Sequence, residues 1–140
     1  MLPPNEGILT PHIQTTECQS FYATIYVGLK EGYTGEVRPL AVAKKTIQNW
    51  VDRVGQCVTV TPTEYLYTNG NEPGMIVGFI NYPRFPVDPD TLRAQVLDLA
   101  QLLLLSCDQM NLSIVFPDKT IMLSNQKRIR DYEDKKVREV

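Results

Sequence analysis

"VTVTPTEYLYTNGNEPGMIVGFINY", residues 58–82, decides the fold. In its first half every second residue from Thr59 carries a hydroxyl: Thr59, Thr61, Thr63, Tyr65 and Tyr67. Val58, Val60 and Leu66 lie on the opposite side, where Glu64 interrupts the aliphatic run. Period two of this kind is the pattern of a half-exposed strand. Pro62 cannot donate a ladder hydrogen bond, so the strand is expected at a sheet edge or bent there. "TNGNEPG" (68–74) reads as a turn region, with Glu72 as a turn residue. "MIVGFINY" (75–82) is apolar on both faces, as a strand covered on both sides would be.

The flanks extend this unit in both directions. Upstream, "SFYATIYVGLK" (20–30) alternates again. Phe21, Ala23, Ile25, Val27 and Leu29 face one way, and Tyr22, Thr24 and Tyr26 the other. "RPLAVAKKTIQNWVDRVG" (38–55) has a helical stripe of Leu40, Ala43, Ile47, Val51 and Val54. Pro39 suits its first turn and Gly55 its left-handed end, while Trp50 sits beside the stripe. Downstream, Asp88 is an N-cap with Pro89 at the first helical position. That helix is expected to run to about Met110, its stripe made by Leu92, Val96, Leu99, Ala100, Leu103, Cys107 and Met110. Leu102 and Leu105 fall outside the stripe and leave apolar surface to spare. "LSIVFPDKTIMLS" (112–124) reads as a hairpin about Pro117.

The order β-α-β-β-α-β plus one short strand predicts an α+β domain of the ferredoxin-like, split βαβ kind, with both helices on one sheet face. The expected divisions are an extended arm at 1–19, one domain at 20–123 and a charged tail at 124–140. The tail is read as a solvated helix or a frayed end.

Composition narrows the function classes. The chain has 140 residues, 43% hydrophobic and 21% charged, and a net charge of −2, as in one globular domain. Without a basic excess it is not expected to bind a nucleic-acid polymer. No apolar run is long enough for a membrane span and the N-terminus has no secretory pattern, so a cytoplasmic setting is expected. The three cysteines Cys18, Cys57 and Cys107 have no CxxC spacing and read as free thiols, Cys57 and Cys107 as small buried hydrophobes. With His12 as the single histidine, no metal, no cofactor and no catalytic set are expected. "VGLKEGYTGE" (27–36) is rich in glycine but matches neither the Walker nor the dinucleotide pattern.

Pairing the two alternating strands places their hydroxyls on one open face. Thr and Tyr suit a half-exposed sheet without any function. They also suit recognition: tyrosine offers a flat, low-entropy contact with a polar tip, and threonine a short donor and acceptor. The candidate ligand-binding residues are Tyr22, Tyr26, Thr59, Thr61, Tyr65, Tyr67 and Arg84, the last held between Pro83 and Phe85 to neutralise negative charge.

The segments "YVGLKEGYTG" (26–35), "VTVTPTEYLYTNGNEPGMIVGFINYPRFP" (58–86) and "FPDKTIML" (116–123) resemble small uncharacterised proteins of bacteriophage and bacterial genomes. Those proteins carry a similar strand, glycine loop, helix, "TPTE", "EPG", strand order, and the resemblance spans residues 20–123. It transfers no catalytic residue. It implies a phage accessory setting, in which anti-defence proteins sequester nucleotide signals between subunits.

The leading expectation is therefore a non-enzymatic homo-oligomer that sequesters a small polar or nucleotide-like ligand. The alternative is an interaction module that inhibits a host protein. The third is a cofactor-independent enzyme of the dimeric α+β barrel kind, steering its substrate with Asn81, Trp50 and Tyr82.

Overall fold

The structure, a computed structural model, describes residues 9–32 and 34–138. Residues 1–8 of the expected arm and residues 139–140 of the expected tail lie outside the described residues. The elements are β1 (Tyr22–Gly28), α1 (Leu40–Val54), β2 (Thr59–Tyr67), β3 (Gly70–Ile80), α2 (Pro89–Ser106), β4 (Asn111–Val115), β5 (Thr120–Ser124) and α3 (Gln126–Arg138). They form a mixed α+β domain. Its single five-stranded sheet has the order β2-β3-β1-β4-β5, antiparallel throughout. The extra short strand expected from the hairpin about Pro117 is β5, which pairs with β4 and extends the sheet to five strands.

Alternation on each strand makes the core. Ala23, Ile25 and Val27 of β1, Met75, Val77 and Phe79 of β3, and Leu112 and Ile114 of β4 are buried on one sheet face. Against them pack Ala43, Ile47 and Trp50 of α1 and Leu92, Val96, Leu99 and Leu103 of α2. Each buried side chain of leucine size contributes about 1.5–3 kcal/mol by leaving water. Trp50 belongs to this core, edge-on to Phe79, with its indole N–H donating to Asp98 at 2.8 Å. Asp88 caps α2, accepting from the amides of Asp90 and Thr91, and Gly55 ends α1 with φ 84°. No helix among the described residues is long and apolar enough to cross a membrane.

Several boundaries differ from expectation. β3 begins at Gly70, not Met75, because the turn is only Thr68–Asn69, with Asn69 at φ 60°. Leu66 does not pack under the helices and is 75% exposed, since β2 and the start of β3 run beyond the helical layer. Cys57 is exposed, whereas Cys107 is buried. α2 stops at Ser106 rather than near Met110. There the amides of Asp108 and Gln109 turn back to the carbonyls of Leu105 and Leu104, with Asp108 left-handed at φ 53°. This is the Schellman closure with an aspartate where glycine is usual.

Ionic pairs hold that closure. The Asp108 carboxylate pairs with Arg38 and lies 3.9 Å from Arg128 of α3. Arg128 also pairs with Glu31, whose carboxylate is buried and accepts from the Thr34 hydroxyl at 2.7 Å. One α3 arginine thus ties the β1–α1 loop to the α2–β4 turn.

Candidate functional site

β1 and β2 do not pair as expected; β3 lies between them and its register brings their hydroxyl sides onto one face. Thr59, Thr61 and Thr63 of β2 stand opposite Gly78, Ile76 and Gly74 of β3, and those residues face Thr24, Tyr26 and Gly28 of β1. Continuing down the hairpin, Tyr65 faces Glu72 and Tyr67 faces Gly70. The early start of β3 therefore lifts Glu72 out of a turn and sets it on the open face.

Glycines shape this end of the sheet. Gly74 has no side chain, and the Tyr65 ring lies in the space a Cβ would take; that Cβ would also stand 2.7 Å from the Val27 carbonyl. Tyr65 consequently reaches across β3, and its hydroxyl donates toward the carbonyls of Met75 (3.1 Å) and Val27 (3.3 Å). Burial, then the nearby charge of Glu72 and the phenol of Tyr26, push the Tyr65 hydroxyl up to about 12, so it stays protonated at neutral pH. Gly28 provides the second gap. A Cβ there would stand 2.8 Å from Glu72 Oε2 and 2.9 Å from Gln109 Oε1. Gln109 is oriented by its amide nitrogen, which donates to the Lys30 and Cys107 carbonyls at 3.0 Å each.

Above Gly28 opens a cleft of about 440 Å³, walled by Lys30, Glu31, Gly32 and Gly35 of the β1–α1 loop, Tyr67 and Glu72 of the hairpin, and Gln109, Met110 and Asn111. That volume lies in the range of small-molecule sites. The wall pairs an open carboxylate with an amide carbonyl and an aromatic ring, a combination suited to a cationic, partly apolar ligand. Another hollow of about 340 Å³ follows α3 and is lined by Arg128, Asp131, Asp134 and Arg138. It draws on one helix only, with charges that balance each other, and offers no convergent chemistry.

The expected site residues divide. Tyr67 lines the cleft and Tyr65 stands beside it, with Tyr26 near enough to perturb Tyr65. Thr61 lies mid-sheet opposite Ile76. Tyr22 and Thr59 sit toward the other end, opposite Ile80 and Gly78. Arg84 is farther still, in the turn after β3 with its guanidinium 5.1 Å from the Phe85 ring. The six-residue step from Gly74 to Ile80 alone spans about 20 Å, so Arg84 does not join this cleft.

The trio Asn81, Trp50 and Tyr82 is not gathered into a site. Asn81 is buried and staples the 82–87 loop, bonding the amide and carbonyl of Val87 and the carbonyl of Gln19. Trp50 is in the core, and the Tyr82 hydroxyl is pushed up chiefly by a hydrogen bond with Cys57. Glu72 and Gln109 are what the sequence reading missed. Counting period two back from Met75 through "GNEPG" would have placed Glu72 on the face of Gly74. Nothing local marks Gln109, because its placement depends on a helix end closed by an aspartate.

The fold and cleft together define a class: a small α+β domain with an open sheet face and a pocket of small-molecule size at one end. No family model matches the chain, and no curated protein does. Among solved structures, it is similar to a phage SAM lyase in complex with S-methyl-5′-thioadenosine, with a TM-score of 0.61 and 16% identity over 81% of this chain and 96% of that one. The phage SAM lyase in its apo state is similar at a TM-score of 0.57 and 18% identity, covering 75% and 89%. At these identities the likeness establishes the fold.

Proposed function

We propose that the cleft over Gly28 binds an S-adenosyl sulfonium nucleoside and that the protein processes it as a lyase. The observation that carries this reading is convergence. The Glu72 carboxylate and the Gln109 carbonyl meet over one glycine, with Tyr67 and Tyr65 alongside. The fold is shared with an enzyme captured with a thioadenosine. A sulfonium has no N–H to donate, so it is recognised by negative charge and by electron-rich faces. Those are the groups assembled here.

S-methyl-5′-thioadenosine is what remains of S-adenosylmethionine when the bond from sulfur to the four-carbon chain breaks. The bonding pair goes to sulfur, which becomes a neutral thioether. The chain carbon is satisfied by closure of its own carboxylate or by loss of a neighbouring proton. The site's task is to hold the cation, align the chain and limit water. The neighbours are lyases and lend no support to the expected non-enzymatic form. Sequestration without turnover is the second reading, favoured by the Tyr65 hydroxyl being committed to two backbone carbonyls and so not free to move a proton.

Incubating the purified protein with S-adenosylmethionine and resolving the products by chromatography tests the reading. Release of the thioether, lost in Glu72→Gln, supports lyase action. A tightly retained, unchanged ligand supports sequestration. No binding and no turnover would refute both.

We also infer a ferredoxin-like core, a reading supported by the strand order β2-β3-β1-β4 with α1 and α2 packed on one face, to which β5 and α3 are added. A homo-oligomer is supported by the uncovered face, where Tyr22, Ile80 and Met122 are 52%, 47% and 63% exposed. Native mass spectrometry reads the subunit number. A phage accessory role in host cytoplasm fits a reaction that removes the cell's methyl donor.

A further inference from the structure

The charges on the cleft wall carry a second, sharper reading. Gly28 faces Gly74, and the Leu29 amide donates to the Pro73 carbonyl at 2.9 Å, so the β1–β3 register continues past the end of the strand. Extended by two residues, that register brings Lys30, itself bridged to Val37, level with Glu72, and both line the cleft. Opposite charges in facing strand positions ordinarily close on each other. Here they do not: among the described residues neither Lys30 nor Glu72 has an ion pair. Glu72 turns over Gly28, while the Lys30 stem runs along Gly35, its Cε 3.9 Å from where a Gly35 Cβ would be. The cleft opens between them, with Tyr67 and Met110 on its wall.

A cleft whose ammonium and carboxylate are splayed rather than paired is matched by a ligand bearing both charges. We propose that Lys30 is a specificity residue that reads the ligand's α-carboxylate while Glu72 faces its sulfonium, so the cleft selects the charged amino-acid nucleoside over the neutral thioether. This rests on the reading of the cleft as an S-adenosyl site. It has a consequence for turnover. Once the carbon–sulfur bond breaks, the thioether carries neither charged group, and both contacts that held the substrate are lost to it. Product release is then built into the recognition.

Titration calorimetry on the full chain separates the contributions. The probes are S-adenosylhomocysteine, which keeps the amino-acid chain on a neutral sulfur, and S-methyl-5′-thioadenosine, which lacks that chain. In Lys30→Gln, the Kd for S-adenosylhomocysteine should rise about tenfold while that for the thioether moves less than about twofold. Lys30→Arg should hold S-adenosylhomocysteine within about threefold of wild type. Raising the salt concentration should weaken S-adenosylhomocysteine more than the thioether. Equal weakening of both ligands, or no change for S-adenosylhomocysteine, would overturn the role of Lys30 while leaving the S-adenosyl site standing. Failure of the wild-type protein to bind either nucleoside would remove the site itself and this inference with it.

Discussion

The two ends of the open sheet face are made of the same residue types and are built differently. At the Gly74 end, Tyr65 folds down over a glycine and Glu72 and Gln109 meet over another. At the Ile80 end, Tyr22 faces an isoleucine and stands out, half exposed, and Arg84 lies on Phe85 beyond the sheet. Tyrosines and threonines alone do not make a pocket. Where Gly28 and Gly74 face each other across β1 and β3, Tyr65, Glu72 and Gln109 converge beside a walled hollow, whereas the single Gly78 at the other end is covered by Thr59 alone. The difference teaches that the glycines of β1 and β3, rather than the hydroxyl row, decide which part of the face can hold a ligand.

The comparison is broken most directly by charge removal at each end. Glu72→Gln should weaken S-adenosyl ligand binding about 10–100-fold, since a contact to a charged group is lost, while Arg84→Ala should leave it within about twofold. Equal losses at both ends would dissolve the distinction. Next in size is a change of packing. Gly74→Ala forces the Tyr65 ring off the strand and crowds the Val27 carbonyl, and should cost about 2–3 kcal/mol in urea unfolding. Gly78→Ala meets only the movable Thr59 hydroxyl and should cost less than about 1 kcal/mol. Comparable costs would show that the Tyr65 cross-over is not structural.

A smaller effect sharpens the same point through pH. The Tyr65 hydroxyl is raised from 10.0 to about 12 in the folded protein. A raised value means the folded state holds its proton longer than the unfolded chain. The contribution is fully present below about pH 10 and is lost as pH rises toward about 12. Tyr65→Phe should flatten that alkaline decline and lower stability at neutral pH by about 1 kcal/mol through the lost hydroxyl bonds. An unchanged alkaline limb in the variant would assign the decline to other groups.

The sequence by itself determined the element order, the strand faces and the core stripes, because period two and period 3.6 are local properties of the chain. It also marked the caps at Asp88 and Gly55 and the hydroxyl sides of β1 and β2, though not that β3 would lie between those two strands. It did not determine the insertion of β3 between β1 and β2, the start of β3 or the end of α2. The last two depend on Asn69 and Asp108 entering the left-handed region, which residue type permits but does not require. Asp108 does so where Arg38 and Arg128, 70 and 20 positions away in the chain, hold its carboxylate. Only the tertiary structure could therefore bring Gln109 to Glu72 over Gly28. Their meeting is set by pairings between distant segments, and no local pattern along the chain encodes it.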